Sequence, residues 1–481
     1  MSNVVSVENK PAGIPIKDRL AFSNSMWGMM MVIFLYNTSY LPLFLNGVVG
    51  ISLPFIATVM GIAKILDIFE VLFLQPVLFE WAAKKSRWGR YRTWFILGPI
   101  ICLIGHMMLQ SVVIAAAPAF LYAPLMIIGY VLVNGALNIQ ATSCDALNVL
   151  WLKDPVERYR IVGQRNLVTN IGGTLLGFAM LPIIWRVGGV QAINTAGITF
   201  LVVLFNALNL LCAIPMFMFT KKLNLDSGVK PASNTFKVAL SSVKLIFTNR
   251  QVFGFWFASS LGQGGMSAWG QVFAFIFLFY FRSPETLSWY NGVFRFFPMI
   301  ANLAVILLAK KLRPRYAFIF AHIWLVFNFL FIYFFARDPI LAIAMICLTQ
   351  IFSGLNIAGS PALYSDMTEY TRWKVGDNIA DRVFTVRQST AKTSTYIANF
   401  MLTGMVFIGF SAADPSTHTP EILQHLKMLA CLMPAGLYLA GLVSFLLLFQ
   451  LKPKQMDQVR KELAERDAAA AAAKAAATQG E

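Results

Sequence analysis

The sequence predicts an all-α membrane protein of about 12 transmembrane helices arranged as two related six-helix bundles. Three observations lead there. The 481-residue chain is 58% hydrophobic with a mean hydropathy of +0.65, leaving too little polar surface to solvate a soluble globule of that size. Its apolar residues gather into runs of about 20 or more, long enough for a helix to cross about 30 Å of hydrocarbon with every backbone group satisfied internally, unlike the shorter alternating segments of a β-barrel. Finally, charged loops of similar character recur at corresponding places in the two halves.

In chain order, residues 1–23 form a polar N-terminus and 24–220 the first bundle, with spans at 24–46, 52–80, 93–113, 119–148, 162–184 and 193–219. The first apolar stretch, from Trp27 to Leu45, exceeds a signal-peptide core and has no cleavage site, so it is a retained span. Residues 221–250 are polar, contain Gly228, Pro231 and Ser233, and link the halves. The second bundle, 251–451, has spans at 251–281, 286–309, 316–336, 339–365, 380–411 and 426–450. A charged tail, 452–481, ends in AAAAAAKAAATQGE, an alanine-rich, helix-prone stretch to which the sequence assigns no chemistry. The second half repeats the first: KKSRWGRYR after the second span answers to KKLRPRYA after the eighth, and LKDPVERYR after the fourth to DMTEYTRWKVGDNIADR after the tenth. Internal repeats of this kind are the usual construction of secondary transporters, with the substrate held between the repeats near mid-membrane.

The net charge of +17 does not indicate nucleic acid, because the basic residues occupy every second loop. Lys84, Lys85, Arg87, Arg90 and Arg92 follow the second span, Lys153, Arg158 and Arg160 the fourth, and Lys310, Lys311, Arg313 and Arg315 the eighth, while the intervening loops hold little beyond Arg186, Arg282, Arg337 and Lys427. This asymmetry places both termini and the linker in the cytoplasm. The five cysteines lie in or beside apolar spans without metal-ligand spacing and act as small hydrophobes. With no nucleophile–base, metal or phosphate-cradling motif, the sequence does not point to an enzyme or to a cofactor.

An ionisable group at membrane depth costs at least a few kcal/mol and needs a partner, a wet cavity or a function. The second span carries Lys64, Asp67 and Glu70 at successive spacings of three, hence on one helical stripe. The bland alternative to a functional Asp67 is an ion pair with Lys64 along the helix that only lowers the cost of burial; even then Glu70 is left over as a spare carboxylate for a coupling proton or Na⁺. Asp145 lies late in the fourth span, on the strip of Gln140 or Ala141. Arg295 and Lys392 fall near the midplane of the eighth and eleventh spans, with Arg165 and Arg387 nearer the ends. A cavity lined by Arg165, Arg295 and Lys392 with few acids would favour an anionic substrate. Tyr36 and Tyr40 share a face of the first span with Asn37 beside them, Gln263, Trp269 and Gln271 lie in the seventh, and Asn356 and Tyr364 in the tenth. Aromatic rings stack on sugars and amides bind hydroxyls, although any one of these residues more commonly ties helix to helix. Leu261-Gly262-Gln263-Gly264-Gly265 and Gly359-Ser360-Pro361 are expected to interrupt their helices at mid-depth, as binding sites often require. Gly173 and Gly177 form a close-packing GxxxG, and His106 and His322 are lone structural histidines.

At KKSRWGRYRTWFILG the chain resembles the glycoside–pentoside–hexuronide:cation symporters, the melibiose permease group of the major facilitator superfamily. The likeness continues in LKDPVERYR with Arg165, and in Tyr370, Gly376 and Arg382, so it spans both halves. It implies the major facilitator fold, alternating access by two bundles, a bacterial inner-membrane location and a coupling ion held by carboxylates of the second and fourth helices. By this alignment Glu70 takes the place of the family's first cation-binding aspartate, and Leu74 or Gln75 that of its second. Gln140 or Ala141 stands at the fourth-helix aspartate and Met31 at the sugar-binding aspartate of the first helix. Arg165 matches the fifth-helix arginine, and Lys392 resembles the eleventh-helix lysine with a shift of about three residues.

The expectation is therefore a monomeric, cation-coupled symporter of a sugar or glycoside, anionic and hexuronide-like. Asp67, Glu70 and Asp145 would couple H⁺ or Na⁺, with any Na⁺ at Asp67 and Glu70. Tyr36, Tyr40, Gln140, Arg165, Gln263, Arg295, Asn356 and Lys392 would bind substrate. The alternatives are a carrier of an amphiphilic anion, lysolipid-like or a sugar-peptide, and a non-transporting membrane sensor.

Overall fold

A computed structural model describes residues 16–24, 26–151, 155–223, 240, 244–308, 313–375 and 380–479. Most of the expected linker, 221–250, lies outside them. Among the described residues there are helices and no strand. In the first half these are α1 (Ile16–Asn24), α2 (Trp27–Tyr36), α3 (Tyr40–Gly47), α4 (Leu53–Phe69), α5 (Gln75–Lys85), α6 (Thr93–Leu109), α7 (Val112–Ala115), α8 (Tyr122–Trp151), α9 (Pro155–Gly188) and α10 (Thr195–Leu223). The second half holds α11 (Arg250–Phe275), α12 (Pro284–Leu308), α13 (Pro314–Phe335), α14 (Pro339–Val375), α15 (Ala380–Ala398), α16 (Phe400–Phe407), α17 (Pro420–Leu448) and α18 (Pro453–Gln479).

Each of the twelve expected spans coincides with one helix or a series of helices. Six are long and apolar enough to cross a membrane on composition alone, and α2 with α3, bent by 42°, makes a seventh. Others carry polar groups at depth: α4 holds Lys64 and Asp67, and α15 holds Arg387 and Lys392. Helix starts follow local chemistry. The Asn249 side chain accepts from the backbone N–H of Gln251 and Val252 ahead of α11, Thr419 caps α17 through Ile422 N–H, and prolines open α13, α14 and α17, where a missing N–H costs nothing.

Polar ties join the halves at one end of the molecule. The chain leaves α2 at Asn37, and the Ser39 N–H bonds to the Gly270 carbonyl of α11 at 2.7 Å, while Ser39 Oγ accepts from Ala274 N–H at 3.1 Å. Asn46 Oδ1 accepts from Ala412 N–H at 2.7 Å, and Tyr40 Oη from Asn291 Nδ2 at 2.6 Å. Here Gly177 does what its GxxxG predicts: a Cβ on it would lie 2.4 Å from the Asn291 carbonyl oxygen. Gly177→Val should therefore prise α9 from α12. Crosslinking between cysteines introduced as Gly47→Cys and Ala412→Cys should fall severalfold, whereas Gly436→Ala, with nothing within 4 Å, should leave it unchanged.

The tail has a structural role the sequence did not show. Met456, Val459 and Leu463 of α18 are buried in a cluster with Phe255, Tyr364, Val383 and Phe449. Arg460 reaches Asp366 at 2.5 Å and Glu369 at 2.7 Å, and Trp373 Nε1 donates to Glu462 at 2.6 Å. Burial pushes the Asp366 carboxyl up to about 6, against the opposing pull of Arg460. Because this pKa is higher folded than unfolded, its stabilising contribution is fully present below about 3.8 and is lost as pH rises through about 6. Asp366→Asn, leaving Glu369 to hold Arg460, should flatten the melting temperature against pH over that window relative to the parent.

Candidate functional site

The polar centre is assembled from both halves. Lys64 and Asp67 stand one turn apart on α4, Asn134 and Asn138 one turn apart on α8, and Lys392 on α15 opposite them. Lys392 Nζ lies 2.7 Å from Asp67 Oδ2 and donates to Asn138 Oδ1 at 3.1 Å, while Asn138 Nδ2 donates to Asp67 Oδ1 at 3.2 Å. Each oxygen of Asp67 thus has a donor, and the closed triangle compensates the removal of two charges from water. The alternative, a Lys64–Asp67 pair along one helix, does not form. Helical side chains lean towards the helix N-terminus, so Lys64 reaches away from the acid that follows it. Its Nζ donates instead to Asn399 Oδ1 at 3.2 Å, and Asn399 Nδ2 donates to the Ala57 carbonyl at 2.8 Å. Asp67–Lys392 and Lys64–Asn399 are two polar ties between the halves, the first part-buried and the second buried.

Glu70, one turn beyond Asp67, is 5% exposed, and neither carboxylate oxygen has a hydrogen-bond partner of good geometry among the described residues, the Asn138 amide and the Lys392 ammonium being polar neighbours. It packs tightly on α8 beside Gly135, where an added Cβ would lie 3.2 Å from Glu70 Cδ and Oε1. Glu70 also opens a π-helical turn, Glu70–Leu74, in which Gln75 N–H bonds back to the Glu70 carbonyl. Such turns gather at functional positions. Pro76 was the signal available in the sequence, because it cannot donate to the carbonyl four residues back and so loosens the helix there. Past the turn, buried Gln75 donates to Thr142 Oγ1 of α8 at 3.1 Å.

The remaining expected residues divide. Arg165 pairs with Asp145 at 2.8 Å and lies over the Phe22 ring, while Asp145 is 63% exposed at the end of the molecule away from Asn46. Both Lys392 and Arg165 are therefore paired, so neither by itself demands an anionic substrate. The Arg295 side chain lies outside the described residues. Tyr36 and Tyr40 do not share a face, because the break at Asn37 to Ser39 separates them. The Tyr36 hydroxyl donates to Asn134 Oδ1 at 2.8 Å within the first half, and Tyr40 meets Asn291 in the second. Gln140 is fully buried in a reciprocal amide pair with Asn209, at 3.1 and 3.3 Å, and ties α8 to α10. Gln263 donates to Ser259 of its own helix, and buried Asn356 lies beside Gly262. Neither glycine-containing run interrupts its helix: α11 and α14 are continuous through them. On α11 the glycines admit close neighbours instead, Gly262 facing His322 and Gly265 facing Tyr438. His106 bonds Gln110 and Asn206 as a structural histidine, and His322 Nδ1 bonds the Phe318 carbonyl.

Sequence reasoning named Asp67, Glu70 and Lys392, which the fold brings together. It missed Asn134, Asn138 and Asn399, although amides spaced by four in an otherwise apolar span were visible on α8. Among the described residues no group of three or more His, Cys, Asp or Glu could hold a metal ion.

Residues 22–452 match the family model described as MFS/sugar transport protein. Over 476 residues the chain is 21% identical to the isoprimeverose transporter of Lactiplantibacillus pentosus, covering 95% of this chain and 94% of that one. It is 24% identical over 155 residues to the inner membrane symporter YicJ of Escherichia coli K12, covering 31% of this chain and 32% of the relative. Among solved structures it resembles the nucleoside transporter NupG, with a TM-score of 0.57 and 13% identity over 91% of this chain and 98% of that one. That last likeness shows the fold.

Proposed function

The chain belongs to the MFS/sugar transport protein family and is a secondary transporter, and on that footing we propose that it imports a neutral sugar or glycoside across the inner membrane by proton-coupled symport. The observation that carries this reading is Glu70, a buried carboxylate with no hydrogen-bond partner of good geometry among the described residues, one turn from the ion pair Asp67–Lys392 that ties the two halves together. A proton is the smallest ion that can neutralise such a group. Na⁺ would need several oxygen ligands, and both oxygens of Asp67 are already engaged by Lys392 and Asn138.

The proposed coupling uses this geometry. Charging or neutralising the Glu70–Asp67 pair of acids changes how tightly Lys392 is held, and with it the strength of a tie between the bundles at 24–220 and 251–451. A proton can shift the bundles only by its differential affinity for the two arrangements, and a tie present in one and broken in the other supplies that difference. With the basic loops in the cytoplasm, the Asn46 end, where the halves are tied, faces outward and exposed Asp145 lies on the cytoplasmic side. The pairing of Lys392 and Arg165, and the likeness to an isoprimeverose transporter, support a neutral substrate over a hexuronide.

Purified protein in liposomes should accumulate isoprimeverose or a related xyloside or galactoside under an imposed inward proton gradient. A glucuronide should compete weakly. Accumulation driven by a Na⁺ gradient alone would replace the proton by Na⁺, and a response to neither gradient would reject coupled transport.

A further inference from the structure

A small cavity lies between the halves, one turn along α4 from the Asp67–Lys392 pair on the side towards the Asn46 end. It is lined by Tyr36, Asn37, Lys64, Tyr130, Gln271 and Leu402 among others, and has room for about one water-sized group. Two of its polar walls are incompletely satisfied. Asn37 Oδ1 is buried with no hydrogen-bond partner among the described residues. Lys64 is 4% exposed and its ammonium, with three N–H bonds, has a single hydrogen-bond acceptor among the described residues, Asn399 Oδ1 at 3.2 Å. Of the neighbouring polar groups, the Tyr36 hydroxyl donates to Asn134 Oδ1 and the Gln271 Nε2–H to the Asn37 carbonyl at 3.2 Å.

We propose that this cavity receives one hydroxyl group of the transported glycoside, its oxygen accepting from Lys64 Nζ and its hydrogen donated to Asn37 Oδ1. The inference rests on the glycoside reading above and adds the residues that discriminate among sugars. A hydroxyl is the smallest group that both accepts and donates, as an ammonium facing a lone amide oxygen requires. A carboxylate would leave Asn37 Oδ1 unsatisfied, and a methylene would satisfy neither wall. The cavity also takes its walls from both halves, with Asn37, Lys64 and the two tyrosines from the first and Gln271 and Leu402 from the second. A hydroxyl bound there is enclosed only when the halves meet, which makes its recognition part of the transport cycle.

The test is calorimetric binding to the full chain in nanodiscs. The probes are methyl xylopyranoside, glucopyranoside and galactopyranoside, each with its monodeoxy and monodeoxyfluoro derivatives. In the parent, removal of one particular hydroxyl should weaken binding by about 10- to 100-fold, the loss expected for a hydrogen bond to a charged group. In Lys64→Met that particular penalty should shrink to within about twofold while the penalties at the other hydroxyls persist. In Asn37→Ala the parent glycoside and the fluoro derivative at that position should bind alike, since the donated hydrogen no longer matters. Equal weakening of every derivative in both variants would give Lys64 and Asn37 a merely structural role and overturn the proposal, leaving glycoside transport standing. Failure of the parent to bind any glycoside of the three sets would sink both readings.

Discussion

Glu70→Gln is expected to abolish uphill accumulation, so that inside and outside substrate concentrations become equal under a proton gradient, while exchange of internal for external substrate persists. The substitution keeps shape and removes only the ionisable function, and Glu70 has no hydrogen-bond partner of good geometry among the described residues to lose. Stability should change little or rise, because an amide is cheaper to bury than a carboxylate. The resulting carrier can still bind and release sugar but has no site whose proton occupancy differs between its two arrangements. Proteoliposome uptake with and without a gradient, beside counterflow, separates these outcomes. If Glu70→Gln still concentrates substrate, the coupling role belongs elsewhere.

The second large effect concerns the tie between the halves. Lys392→Ala strands Asp67 and Asp67→Ala strands Lys392, each in a site where the partner's side chain is 5% or 17% exposed. Breaking such a pair from one side typically costs about 3–5 kcal/mol, far more than the net worth of the intact pair. Each single variant should therefore lower the melting temperature sharply and cut transport by at least about tenfold. The double variant Asp67→Asn with Lys392→Gln carries no stranded charge and should recover most of the stability but not the ion dependence. A double variant as unstable as the worse single one would show that the two residues do not act as a pair.

Much of the architecture was legible because the bilayer imposes it. Runs of about 20 apolar residues, alternate basic loops and a repeated KK-x-R motif each follow from one-dimensional constraints, and the helices fall where those constraints put them. Costly residues were legible for the same reason: Asp67, Glu70 and Lys392 are conspicuous in apolar spans. Their partners were not. On sequence spacing alone Lys64 is Asp67's neighbour, yet a lysine 325 residues away takes the carboxylate. Gln140 looked like a site residue until Asn209, 69 residues on, took both ends of its amide. Glycine runs read as helix breaks proved to be places where helices approach closely, a distinction that depends on what lies opposite.

By itself, then, the sequence determined the class and which charges demanded an explanation, because each of these is a property of a single segment measured against lipid. Only the tertiary structure decided which charges cancel, that Glu70 has no hydrogen-bond partner of good geometry among the described residues, and that Lys64 and Asn37 face one small cavity. Those are properties of pairs drawn from distant parts of the chain, and in a low-dielectric interior the energy of an ionisable group is set by what lies within a few ångströms of it.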